Sequence, residues 1–185
     1  NDEWSYDKVL PFFRKCETDL DIRDDFHGTD GPIPVRRRQS GTAPDIQHAF
    51  RNALTNAGYS TSEDTNGPNP EGIGVSPSNN IEGLRISAAL GHLNPMRHSL
   101  NLTVRGNVLV RKVLFEGQKA IGVEAESGGE IFTIESERVV LSSGAIKSPH
   151  LLMLSGIGPK DQLDQFGIPV VQEVPGVGQN LFNHL

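Results

Sequence analysis

The sequence predicts a mixed α/β chain, and three observations carry that expectation. Residues 108–115, 120–126 and 130–134 alternate or run apolar, separated by Glu116-Gly117-Gln118 and Ser127-Gly128-Gly129. That is the pattern of a three-stranded antiparallel meander with tight hairpin turns. Val139-Val140-Leu141 then leads through small Ser142-Ser143-Gly144-Ala145 to Ser148-Pro149, which should open a helix that Gly156 and Gly158 close. Further upstream, Ile46, Ala49, Phe50, Ala53 and Leu54 recur at helical spacing.

Taken in order, Val9, Leu10, Phe12 and Phe13 suggest a short helix within residues 5–17, limited by Pro11 or placing it in the first turn. An acidic stretch follows and runs into Phe26-His27-Gly28-Thr29-Asp30-Gly31-Pro32, which is rich in turn formers. Residues 33–37 read as a strand and 44–57 as a helix ending at Asn56-Ala57-Gly58. Residues 60–80 carry Asn66-Gly67-Pro68-Asn69-Pro70 and little periodicity, the mark of a long surface or active-site loop. Residues 85–93 resemble a helix and 100–104 a short strand. Residues 138–142 are continuously apolar enough for a buried parallel strand. The organisation divides near Asn80.

At 185 residues the chain can hold one domain with a sizeable core or two unequal pieces. A net charge of −6 disfavours a nucleic-acid partner, whose phosphates need Lys and Arg to neutralise them. The one basic cluster, Arg36-Arg37-Arg38, is short and suits a solvated or acid-facing patch. The single Cys16 cannot form an internal disulfide and reads as a packed small residue on a helix. The six histidines are scattered, with no two-His spacing joined to a carboxylate, so no metal site is expected. His92 and His98 flank Asn94-Pro95 and could border a cavity, although surface positions suit them better.

Small residues at the end of a parallel strand let a backbone approach a ligand beyond the strand's carboxyl end. Ser143, Gly144 and Ala145 are therefore candidates for one wall of a cofactor site, with tight strand-on-helix packing an equally good reading. Gly176-Val177-Gly178 imitates a dinucleotide fingerprint but has Leu181 in place of the third glycine, so it reads as a turn.

From Gly144-Ala145 through Ser148-Pro149 and Leu151-Leu152 to Ser155-Gly156-Ile157-Gly158, the residue types resemble the second signature of the glucose-methanol-choline (GMC) family of flavin-dependent oxidoreductases. The likeness extends to Asn1-Asp2-Glu3-Trp4, His27-Gly28-Thr29-Asp30-Gly31-Pro32, Asn101-Leu102-Thr103-Val104 and Pro175-Gly176-Val177-Gly178-Gln179-Asn180-Leu181, in the family's order. It departs at Gly83-Leu84-Arg85, where relatives carry two arginines, and at Asn183-His184, where an Asp-His pair is usual. The resemblance implies part of a Rossmann-like FAD-binding domain containing the meander, plus part of a substrate domain. Residues 1–80 would be the substrate-side portion with its active-site loop, and 81–185 the FAD-side portion.

It further implies FAD as cofactor and a small alcohol as substrate. The alcohol would be oxidised by hydride transfer to the flavin, in the manner of choline-dehydrogenase-like members. Flavin-containing hydroxynitrile lyases of the same family, and a noncatalytic structural piece, are the alternatives. Val110 matches the family residue whose backbone N–H and C=O hold the adenine ring, with Val108 the position if the register shifts by two. The family's Gly-x-Gly-x-x-Gly segment and proton-accepting histidine find no match here, so the chain reads as an internal segment without a catalytic residue of its own. The remaining amino- and carboxyl-terminal parts, in the same polypeptide or as separate chains, are then its expected partners, and the segment alone should be inactive.

Overall fold

The computed structural model describes residues 2–37 and 43–183 and divides into two compact units, Asn1–Thr103 and Val104–Leu185. Arg38 of the basic cluster and His184 lie outside the described residues.

The first unit begins with a 3-10 turn, Asp2–Trp4, and helix α1, Tyr6–Cys16. Pro11 stands inside α1 rather than at its limit, so the carbonyl of Asp7 has no N–H four residues on. The helix is started instead by the Ser5 carbonyl, which accepts from the N–H groups of Lys8 and Val9. Cys16 ends α1 and is exposed, not packed as the sequence suggested. Strand β1, Glu17–Asp19, pairs in parallel with β2, Ile33–Arg37, in the register Thr18 to Pro34. After helix α2, Asp45–Asn56, β3, Pro77–Ser78, joins the other edge of β2 antiparallel.

Two expectations in this unit are corrected. Residues 85–93 do not form one helix. Glu82 and Gly83, both at positive φ, close a hairpin pairing β4, Asn80–Ile81, with β5, Leu84–Arg85. Helical backbone begins only after this hairpin, at Ala88, as a π-helical stretch, Ala89–Leu93, that runs without a break into α3, Asn94–Met96. Residues 100–104 form no strand, because no segment among the described residues offers them a ladder; Leu102 N–H instead closes a turn on Ser99 C=O, and Leu100 is exposed.

The second unit holds the meander as expected: β6, Leu109–Glu116, β7, Lys119–Ser127, and β8, Glu130–Glu135, in that spatial order. Its hairpins turn where glycine supplies the left-handed conformation, with φ of 58° at Gly117 and 61° and 84° at Gly128 and Gly129. A bulge interrupts the β6–β7 ladder between Val110 and Lys112. The chain then reaches helix α4, Gly144–Leu154, the pair β9, Ile157–Gly158, and β10, Gln172–Glu173, and the short helix α5, Lys160–Gln165, between them. The buried apolar side chains of this unit are Val113 and Ala125 of the meander, Leu151 of α4, which packs on β6, and Leu163 of α5.

The expected buried strand at 138–142 is absent. A parallel strand exists only where another strand satisfies its backbone, and none of the described residues pairs with this stretch, which leaves Val140 exposed. Helix α4 also starts earlier than Ser148-Pro149 suggested, at Gly144.

Candidate functional site

Helix α4 is fastened to the meander by one buried hydroxyl. Ser155 Oγ accepts from Val113 N–H at 2.8 Å and donates to Leu151 C=O at 2.6 Å, so the helix end and strand β6 share a single polar pin. Composition could not reveal it, although Ser155 lies inside the motif that the sequence singled out. Beyond it, Gly156 takes φ 85° with its N–H on Met153 C=O, the left-handed stop of a helix. A Cβ there would meet Pro169 C=O at 2.4 Å, so the chain can reverse into β9 only through glycine. Ser155→Ala leaves the buried Val113 N–H unpaired and is expected to destabilise the protein by ~1–3 kcal/mol, measured by chemical denaturation of the natural-length protein.

At the other end of α4, Gly144 has φ 82° and nothing within 4 Å of where a Cβ would stand. Its backbone is therefore open rather than packed. Ser143 N–H is capped by Ser148 Oγ at 3.0 Å, and Pro149 offers no N–H to the carbonyl of Ala145. Ser143, Gly144 and Ala145 are all exposed. A cleft of about 880 Å³ runs between α4 and the 176–182 turn, lined among others by Ala145, Ser148, Met153, Gly178 and Phe182. Ala145 thus lines a concavity with Ser143 and Gly144 just before it in the chain, whereas Val110 lies outside its lining. Val110 sits on β6, an edge strand whose outer backbone groups are not taken up by β7; Val108 precedes the strand. The Ser155 pin joins the two candidate segments within one unit.

The first unit has a different centre, ionic where a core would be apolar. Asp19 is fully buried and His27 and Arg37 nearly so. Arg37 grips Asp19 with Nη1, at 3.0 Å to Oδ1 and 2.8 Å to Oδ2, and reaches Asp64 with Nη2. His27 Nδ1 lies 2.7 Å from Asp24 Oδ1, and its Nε2 lies 3.2 Å from Asp64 Oδ2 and 3.8 Å from Asp19 Oδ2, without good alignment to either. Glu17, Asp19 and His27 converge closely enough to resemble a metal-ligand set. Asp19, however, already spends both oxygens on Arg37 and on the N–H groups of Asp21 and Ile22.

Burial works to raise the Asp19 carboxyl, but the Arg37 hydrogen bond and the N–H groups of Ile22 and Asp21 outweigh it and hold it below the usual carboxylate range. For Asp24 the smaller burial effect is likewise overcome by the bond to His27 and by the N–H groups of Phe26 and His27. A depressed carboxyl stabilises the fold above its unfolded value of 3.8, and that contribution is lost as pH falls through the lower folded value. Amide protection factors of residues 17–37, corrected for intrinsic exchange rates, should therefore fall below about pH 4, and less steeply in Asp19→Asn.

Sequence reading found the His27-Gly28 turn but not this network. Gly28 and Gly31 are in it because the turn presses on α1 and β1: an added Cβ would lie 2.0 Å from Arg14 C=O at Gly28 and 2.3 Å from Glu17 N at Gly31.

A family model described as GMC oxidoreductase matches residues 1–185. Human mitochondrial choline dehydrogenase is 45% identical over 183 residues, covering 98% of this chain and 30% of that protein. The oxygen-dependent choline dehydrogenase of Photobacterium profundum is 41% identical over 183 residues, covering 98% and 32%. Among solved structures, pyridoxine 4-oxidase from Mesorbium loti superposes with a TM-score of 0.84 at 32% identity, covering 95% of this chain and 34% of that one. An FAD-dependent oxidoreductase from Chaetomium thermophilum gives 0.87 at 28% identity, covering 97% and 34%. The chain spans about a third of the length of these relatives. Its α/β architecture with an antiparallel meander and the match along all its residues lead to one conclusion: the chain belongs to the GMC oxidoreductase family.

Proposed function

We propose that this chain is the middle segment of an FAD-dependent enzyme that oxidises an alcohol. The observation that carries the reading is the open backbone at Gly144, at positive φ with no atom of the described residues where a side chain would stand, beside a cleft along the family's signature helix. A cofactor that needs close backbone approach fits there; a packing role would have filled that space. Bound FAD supplies the hydride acceptor. The chain's own residues hold and shield it. Ser143, Gly144 and Ala145 lie against the adenosine part, and the outer edge of β6 at Val110 offers backbone N–H and C=O to the adenine edge.

Residues 1–80 form the substrate-side portion with its loop, and residues 81–185 the FAD-side portion. Large apolar side chains left exposed on α1 and α2, including Phe12, Phe13, Ile46 and Phe50, support the presence of further protein parts that cover them. The proton acceptor belongs to those parts, so the segment by itself is inactive. The relatives named above are oxidases and dehydrogenases, which favours oxidation over lyase chemistry, with choline or a similar small alcohol as substrate. The natural-length protein is expected to purify with bound flavin whose absorbance bleaches anaerobically on adding choline or another small alcohol. Flavin-free protein that gains none on incubation with FAD would overturn the cofactor assignment. Bound flavin that no alcohol bleaches would overturn the reaction.

A further inference from the structure

Two dipeptides in the first unit carry the same latent chemistry, and the fold treats them differently. Asn66-Gly67 is the one Asn-Gly pair in the sequence, and Asp30-Gly31 the one Asp-Gly pair. In each, the glycine nitrogen follows a side-chain carbonyl carbon that it can attack within the chain, and no Cβ shields it. At Asp30 that nitrogen is occupied. Gly31 N–H donates to Glu17 C=O at 3.0 Å, and a Cβ on Gly31 would meet Glu17 N at 2.3 Å, so main-chain atoms hold it against β1. At Asn66 it is free. Among the described residues neither the Gly67 N–H nor the exposed Asn66 side-chain amide has a hydrogen-bond partner. The remaining asparagines lack this opening: Asn69 and Asn94 precede prolines, which have no N–H, and every other one precedes a residue with a Cβ.

We propose that Asn66 is a site of spontaneous deamidation, and that this modification unfastens the 60–75 loop from strand β2. Gly67 N attacks Asn66 Cγ. The new N–Cγ bond closes a succinimide ring while the Cγ–Nδ2 bond breaks, and the Gly67 proton leaves with that nitrogen as ammonia. Water then opens the ring. Cleavage of the bond to Cγ leaves aspartate, whereas cleavage of the bond to the main-chain carbonyl leaves isoaspartate, whose backbone is one methylene longer. Water is the one co-reactant, and nothing is oxidised or reduced.

Either product sets a new carboxylate beside Asp64, where a further negative charge is unfavourable. Asp64 Oδ1 accepts from Asn66 N–H at 3.0 Å and from Arg37 Nη2, and Arg37 also carries Asp19. Gly67 lies against the same carboxylate, since a Cβ there would stand 2.6 Å from Asp64 Oδ2. The glycine that this turn needs next to Asp64 is therefore also what opens Asn66 to attack. The added charge competes for one guanidinium, and the added methylene of isoaspartate shifts Gly67 off Asp64. Ser62 N–H on Ile73 C=O at 3.1 Å and Ile73 N–H on Ser60 C=O at 2.8 Å close the base of the loop and report its release.

Incubation of the natural-length protein in mildly alkaline buffer, followed by digestion and mass mapping, tests the site, with isoaspartate detected by an isoaspartyl methyltransferase. The peptide holding residue 66 should exchange amide for acid at least about tenfold faster than any other asparagine-containing peptide. The Asp30-Gly31 peptide should hold no isoaspartate, and Asn66→Gln should abolish the methyl-accepting signal. Similar rates at all asparagines, isoaspartate at Asp30 to the same extent, or a signal that survives in Asn66→Gln would overturn the site. In the isoaspartate-bearing fraction, protection factors of the Ser62 and Ile73 amides should fall about tenfold, the size of one lost charge-assisted hydrogen bond. Protection equal to that of the unmodified protein would overturn the unfastening.

Discussion

Gly28→Ala is expected to abolish native packing of the first unit. The methyl group would lie 2.0 Å from Arg14 C=O and 2.2 Å from Glu17 C=O, both main-chain atoms that cannot rotate away. Relief requires the 27–31 turn to move off the end of α1 and off β1. That movement also breaks the bond from Asp19 N–H to Gly28 C=O and the one from Gly31 N–H to Glu17 C=O. The cost should be at least ~3 kcal/mol, the upper end of over-packing penalties, since rigid backbone replaces the usual yielding side chains. Loss of exchange protection across residues 17–37, with residues 109–135 of the meander keeping theirs, is the expected result. A variant with wild-type protection in both places would show that the turn does not bear on α1 as described.

Arg37→Met should be nearly as damaging. It keeps a long side chain but removes the guanidinium that grips Asp19, which has no exposure to water, and it takes the Nη2 contact from Asp64. Breaking a buried ion pair from one side costs ~3–5 kcal/mol because a charge remains without compensation. The remedy is specific: Asp19→Asn combined with Arg37→Met should recover part of the loss, since an amide tolerates the site without a counter-charge. Denaturation midpoints of the two single variants and the double give the coupling. Strict additivity would mean that the two side chains do not interact as their geometry implies.

The parts of the fold that were legible in the sequence are those set by neighbours along the chain. Alternation in 108–134 with Gly117, Gly128 and Gly129 at the turns predicts the meander because both signals are local. The helical spacing of Ile46, Phe50 and Leu54 likewise found α2. Residues 100–104 and 138–142 misled because apolar, branched composition says only that a segment could be a strand, whereas a ladder partner decides that it is one. The ionic centre was illegible for the same reason. Asp19, His27, Arg37 and Asp64 are far apart in sequence, and each alone is an ordinary charged residue. The Gly28 and Gly31 spacing marked a tight turn but could not say that it closes over buried charges. In the second unit the signature drew attention to Ser155 and Gly156, and their roles in pinning and ending α4 emerged only with the neighbours in place.

The place of the nucleotide half of FAD against this chain decides whether it is the FAD-side segment. A crystal structure of the natural-length protein with FAD measures it directly. The adenine edge should meet the backbone N–H and C=O of Val110 at hydrogen-bonding distance, with the adenosine in van der Waals contact with Gly144. An adenine bound elsewhere, with the backbone of Val110 and the open face of Gly144 both left in solvent, would contradict it.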